Sequence, residues 1–202
     1  MKYVLVSYHP YEKSFNAAIM HRIKETIVEK KENSVEHIDL AEIDFNPNMS
    51  SKELFEFSQA RTARGIKKEN LDPTAVRFAE IINECDHLIM IFPIWWELMP
   101  AQMKGFVDKV IFPGLFYTYK SEFSMRAISK TLKKVSVITT MNTPHFLYAV
   151  KYKSCIMNAL IKGTFKKLGI KNVRWINYGF IKKIGEEKRR KIIKSLPGKL
   201  SI

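Results

Sequence analysis

The chain has 202 residues, 46% hydrophobic and 12% aromatic, which fits one α/β domain, or at most two small ones, and excludes disorder as its overall state. Its two cysteines, Cys85 and Cys155, are too few for a disulfide framework or a metal knuckle, so two reduced core thiols and no metal centre are expected. No run reaches the roughly 18 apolar residues of a membrane span, and the N-terminus enters "KYVLVS" with no leader-like apolar segment; a cytoplasmic protein without membrane insertion is the expectation.

Taken in order, residues 2–8 form a short β-branched run that reads as a strand. Residues 14–31 carry Phe15, Ile19, Ile23 and Ile27 at helical spacing, and residues 35–40 alternate like a second strand. The stretch 46–70 is polar and irregular, with a helical piece near 52–60. Residues 72–85 read as a helix with Asp72 as N-cap and Pro73 in its first turn. "HLIMIFP" (87–93) is a strand stopped by Pro93, and Pro100 opens a helix that holds Gly105. A glycine there costs roughly 1 kcal/mol against alanine, which implies that something packs very close. A strand over 133–140, a helix over 152–168 ended by Gly169, a strand over 173–181 and a helix over 186–196 complete the chain.

Strand and helix thus alternate five times with no linker or repeat, which predicts one domain over 1–202 with a parallel sheet covered on both faces. Such sheets bind ligands where the carboxyl ends of the strands meet a reversal of strand order. The loops after the first, third and fourth strands are therefore the candidate site.

The formal charge of +14 is concentrated: residues 151–202 hold 15 Lys and Arg against 2 acidic residues. A basic segment of this kind suits nucleic acid, a membrane surface or phosphorylated small molecules, and equally a solvated helix face. No helix-turn-helix, RNP or zinc-finger pattern accompanies it, so no nucleic-acid partner is expected.

The first loop, "SYHPYEKSFNAA", offers His9, Lys13, Ser14 and Asn16 at the start of a helix, where unpaired N–H groups favour an anion. It lacks both the GxGxxG and the Walker pattern, and Ser14 suits a simple helix cap as well. The second loop places Trp95 and Trp96 just past Pro93 and Ile94; they are either covered core aromatics or the wall of a planar ligand. The third, "TTMNTPHFLYAV", supplies Thr139, Thr140 and Asn142 as hydrogen-bonding groups, with His145 and Tyr148 as candidates for proton or hydride chemistry. His145 reads equally as a solvated loop histidine.

"HPYEKSFNAA" and "FPIWWELMPAQMKGFVDKVIFPGLFY" resemble the two signature motifs of the flavodoxin-like NAD(P)H:quinone oxidoreductases, the family that includes modulators of drug activity and potassium-efflux ancillary proteins. A weaker likeness continues through "IKGTFKKLGIKNVRWINYGFIK", so it spans most of the chain. The resemblance implies a flavodoxin-like three-layer sandwich, with a five-stranded parallel sheet in the order 2-1-3-4-5 and helices on both faces. It implies a non-covalently bound flavin, with FMN favoured by chain length over FAD. His9, Lys13, Ser14, Phe15 and Asn16 would hold phosphate and ribityl. Pro93, Ile94, Trp95 and Trp96 would line the isoalloxazine, and Thr139, Thr140 and Asn142 would lie at its polar edge. Tyr148 and His145 would be the catalytic pair.

The family pattern further implies a homodimer with the site at the subunit interface. It implies ping-pong hydride transfer from NAD(P)H, through flavin N5, to a quinone or similar flat acceptor. The alternative is a flavin-binding redox sensor that regulates a membrane transport protein and turns over slowly. A single-electron carrier of the flavodoxin kind is disfavoured by the basic charge, since those carriers are usually acidic. One departure is plain: the family has T-T-G-G where this chain reads "TTMN", which puts side chains at Met141 and Asn142 where glycines would let backbone approach the ring.

Overall fold

A computed structural model describes residues 1–202. Five strands form one parallel sheet: β1 (Lys2–Ser7), β2 (Ser34–Asp39), β3 (His87–Pro93), β6 (Lys134–Thr140) and β7 (Asn172–Tyr178), in the order β2-β1-β3-β6-β7. Read by sheet strands alone, this is the expected 2-1-3-4-5 order. The difference is an antiparallel hairpin, β4 (Tyr117–Ser121) and β5 (Ser124–Ala127), which lies outside the sheet. Its short alternating segments, "YTYKS" and "SMRA", give too little periodic signal to stand out beside the longer strands.

The helices are α1 (Phe15–Val28), α2 (Ser51–Gln59), α3 (Pro73–Asn83), α4 (Ala101–Val110), α5 (His145–Val150) and α6 (Glu186–Leu200). Alternation along the strands sorts the core into two layers. Leu5, Ile89, Ile91 and Ile138 meet Ile19, Ile23 and Ile27 of α1 and Leu196 and Leu200 of α6. Val4, Val6, Met90, Phe92, Val135 and Val137 belong to the opposite core, with Phe78 of α3, Phe106 of α4 and Phe165. All seven residues of β3 are buried. No helix is long and apolar enough to cross a membrane.

Local signals set the helix starts. Ser14 caps α1, Ser50 and Glu53 form a capping box on α2, and Asp72 caps α3 ahead of Pro73. The helix expected over 152–168 is reorganised. Lys153 and Ser154 form a left-handed turn, at φ 52° and 51°, and a π-helical stretch, Met157–Lys166, follows. Within it Thr164 Oγ1 donates to the carbonyl five residues back, at Ala159. The last strand ends at Tyr178 rather than 181, because Phe180 adopts φ 61°. α6 runs on to Leu200, and Lys134 and Arg174 donate to the carbonyls of Leu200 and Lys199 in its final turn. These cations oppose the negative end of the helix dipole.

Gly105 has its reason in packing. A Cβ there would lie 2.3 Å from Pro47 Cα, so α4 rests directly on the backbone of the 45–48 loop. Gln102 donates to Phe45 O at 2.6 Å, and Lys109 Nζ to Asn46 O at 3.0 Å. Lys109 Nζ also lies 2.8 Å from Asp72 Oδ2 and 3.3 Å from Glu53 Oε1, its side chain only 3% exposed. Below α2, the buried Glu56 carboxylate takes two bonds from Arg64 and one each from Asn70 and the Lys67 N–H. Arg64 first, then Asn70 and Lys67, hold its pKa down at about 2, against the opposing effect of burial.

Two stability measurements follow. Lys109→Ala strands two enclosed carboxylates and should cost about 3 kcal/mol in urea unfolding. Glu56 has a folded pKa below its ordinary 4.5, so its contribution is complete above that value and fades as pH falls toward 2. Glu56→Gln should flatten this acid limb of the stability–pH curve.

Candidate functional site

The carboxyl ends of the strands are stitched together by backbone bonds. Tyr8 N–H donates to Ile91 O at 3.0 Å, Ile94 N–H to Thr140 O at 2.7 Å and Met141 N–H to Tyr178 O at 2.9 Å. The first and third loops meet through one side-chain bond: Asn16 Nδ2 donates to Thr140 Oγ1 at 2.9 Å.

In the first loop, Ser14 Oγ accepts from Ala17 N–H at 3.1 Å, so Ser14 is a helix cap. The first intrahelical bond of α1 is Ala18 N–H to Ser14 O, and the N–H groups of Phe15 and Asn16 ahead of it remain open donors. Lys13 is exposed beside them. Phe15 turns its ring to Tyr178, under Arg189 of α6, and anchors the start of the helix. His9 Nδ1 accepts from Tyr11 N–H at 3.1 Å, which leaves the proton on Nε2. Burial lowers the pKa of His9 and favours this neutral donor form.

Asn16 is 4% exposed, yet its Oδ1 has no partner in the chain. A buried acceptor left open requires an explanation, and a ligand hydroxyl reaching it would supply one. Asn16 lines a cleft of about 460 Å³ together with Ser7, His9, His37 and Asp39. The cleft runs from the first loop toward the end of β2, away from the tryptophans. There His37 Nε2 lies 2.8 Å from Ser7 Oγ, and burial lowers the pKa of His37. Sequence reasoning passed over this wall; its signal was the polar set His37 and Asp39 at the carboxyl end of "VEHIDL".

The second loop is a tight turn. Trp95 and Leu98 exchange both backbone bonds, at 2.9 and 3.1 Å, and Trp96 and Glu97 between them sit at φ 49° and 65°. Two consecutive left-handed residues form the type I′ arrangement, which normally calls for Asn or Gly. Pro93 and Ile94 are buried beneath it. Trp95 packs edge-on to Tyr8 and His9, at centroid distances of 6.0 and 6.2 Å. Trp96 is 98% exposed. The turn is tied down by Glu97, which no motif singled out. Its carbonyl accepts from Tyr148 OH at 3.0 Å, and its Oε1 accepts from Thr143 Oγ1 at 3.2 Å.

The third loop divides its residues. Thr140 faces Asn16. Thr139 faces the opposite layer, where its Oγ1 donates to Asn177 Oδ1 and accepts from Trp175 Nε1–H, each at 2.9 Å; its side chain is spent there. Met141 points into the same layer, 4% exposed, and Asn142 turns outward to accept from Lys182 N–H at 3.2 Å. Neither has a positive φ and neither lines the cleft, so the departure from T-T-G-G leaves the cleft open. His145 is exposed, and its Nε2 accepts from Gly179 N–H at 3.1 Å. Tyr148 is 1% exposed. Its hydroxyl donates to Glu97 O and accepts from Ile156 N–H at 3.0 Å, and burial pushes its pKa up to about 12. The two residues read as a catalytic pair are thus held apart in environment, one at the surface and one with its hydroxyl committed inside. Thr140→Val should leave the Asn16 amide without any protein partner, at a cost of about 1–3 kcal/mol in chemical unfolding.

The chain matches the family model for the flavodoxin-like fold over residues 1–196. It is 27% identical over 194 residues to an uncharacterized NAD(P)H oxidoreductase of Haemophilus influenzae, covering 96% of this chain and 91% of that one. It is 26% identical over 167 residues to NAD(P)H dehydrogenase (quinone) 1 of Cavia porcellus, covering 78% of this chain and 59% of that protein. Its fold matches the structure of an FMN-dependent NADH-azoreductase from Bacillus anthracis in complex with FMN, with a TM-score of 0.75 over 100% of this chain and 99% of that one. At 15% identity, that last likeness is one of fold.

Proposed function

The chain belongs to the flavodoxin-like fold family, among its NAD(P)H oxidoreductases, and from that premise we propose that it is an FMN-dependent NAD(P)H oxidoreductase acting on quinones or similar flat acceptors. The observation that carries the flavin reading is the first loop: open N–H donors and Lys13 at the start of α1, beside the unpartnered Asn16 Oδ1. Together they suit a phosphate and an adjoining hydroxyl, the two polar parts of a flavin mononucleotide chain. Bound there, the flavin supplies the two-electron exchange between nicotinamide and acceptor.

The chain's residues then take these roles. Phe15 N–H, Asn16 N–H and Lys13 bind the phosphate, and His9 Nε2–H is a further donor at the same loop. Asn16 Oδ1 accepts from the ribityl chain. Pro93, Ile94 and Trp95 back the ring, and Trp96 stands free to cover it or a second flat molecule. His145 keeps its Nδ1–H at the surface and is the better placed of the two loop candidates to move a proton to an acceptor. Trp96, Leu98, Phe146 and Val150 are all at least 49% exposed, and a second copy of the chain covering them makes the homodimer. The basic C-terminal quarter draws in nicotinamide phosphates by long-range attraction.

The test is the visible spectrum of purified protein reconstituted with FMN, before and after anaerobic NADPH or NADH. Flavin absorption that bleaches supports the reading, and Lys13→Ala should weaken FMN binding about tenfold, the worth of a charge-assisted bond. A bound flavin that resists reduction would favour the redox-sensing regulator instead. No binding of FMN or FAD would overturn the proposal. Turnover should also fall with added salt, and a rate indifferent to ionic strength would remove the steering role.

A further inference from the structure

Two pairs of non-glycine residues in the chain take up left-handed backbone one after the other: Trp96–Glu97 and Lys153–Ser154. L-residues disfavour this conformation, and it persists only where the surroundings over-determine it. The pairs are far apart in sequence, on different loops, yet both close on one residue, the first on its hydroxyl and the second on its carbonyl, with the hydroxyl bonding Ile156 just beyond. Tyr148 OH donates to Glu97 O at 3.0 Å and accepts from Ile156 N–H at 3.0 Å, and Tyr148 O accepts from Ser154 N–H at 3.0 Å. The ring is buried and packs on Trp175, with centroids 6.1 Å apart.

We propose that Tyr148 is a positioning residue, a clasp that holds both strained turns at once and thereby fixes the tryptophan wall of the site. Three features argue for this over a proton-transfer role. The single hydroxyl hydrogen is already given to Glu97 O. The hydroxyl oxygen takes a second bond from Ile156. The turn that receives the bond is the one that displays Trp96, almost wholly in solvent, at the carboxyl end of β3. Thr143 adds a second tie to the same turn through the Glu97 carboxylate, so the third loop grips the second at two points. The link from clasp to ligand rests on the flavin reading; the clasp itself does not.

The experiment is hydrogen–deuterium exchange on the full chain without flavin, comparing wild type with Tyr148→Phe, which keeps the ring and deletes both hydroxyl bonds. The amides of Trp95 and Leu98, paired across the first turn, and that of Ser154 in the second should exchange at least tenfold faster together. Loosening of only one turn, or of neither, overturns the proposal. Should Tyr148→Phe fail to fold, Glu97→Gly added to it should restore folding, because glycine adopts that backbone without strain; no restoration also overturns it. In the FMN-loaded protein, Tyr148→Phe should raise the acceptor KM while leaving the pH profile of kcat unchanged. Loss of a limb from that profile would instead make Tyr148 a proton donor. If the wild type binds no flavin, the proposed function fails while the exchange result still decides the clasp.

Discussion

The buried ammonium of Lys109 is the fixed point on which three helices of one layer converge. It reaches Asp72 at the head of α3, Glu53 in the first turn of α2 and the carbonyl of Asn46. A charge so enclosed has no good alternative position, because any shift leaves at least one ion without its counterion. Such a network adds little net stability over apolar packing, but it selects one arrangement of the three helices. Gly105 completes the mount by letting α4 sit on Pro47 backbone. The tryptophan turn is therefore strung between a strand buried along its whole length and a helix that cannot slide.

That mount explains how the turn keeps an unfavourable backbone. Left-handed residues at Trp96 and Glu97 would relax in a free loop. Here the chain is pinned at Ile94 by Thr140 O, at Glu97 by Tyr148 and Thr143, and beyond Pro100 by α4. The three loops divide their work unequally. The first leaves its donors open, the second is a tight turn that displays Trp96 to solvent, and the third spends most of its polar groups inside the protein. The reactive electrons would belong to the cofactor, and the chain would contribute placement.

The alternation of apolar runs made the sheet and its flanking helices readable, and caps such as Asp72–Pro73 marked their starts. Gly105 announced a close approach without saying to what. The hairpin was missed because its strands are short and only half apolar. The π-helical stretch was hidden because its residues have ordinary helical periodicity; only the turn at Lys153–Ser154, with no glycine to betray it, separates it from α5. At the candidate site, residue types pointed to the first loop, and the structure brings Trp95 beside it. Direction was what the sequence could not show. Thr139 and Thr140 are neighbours of the same type, but strand alternation sends one to Asn16 and the other to Trp175. Nothing local to Tyr148 reveals that its hydroxyl meets a carbonyl some fifty positions upstream.

β7 is an edge strand, with one side unpaired along its length. An open edge of this kind is a template on which a strand from another molecule can add. Lys171 and Arg174 are exposed on and beside it, and the Arg174 side chain reaches back to close the end of α6. Two such edges brought together would set the Lys171 and Arg174 of each copy near one another, and like charges at that spacing oppose the pairing.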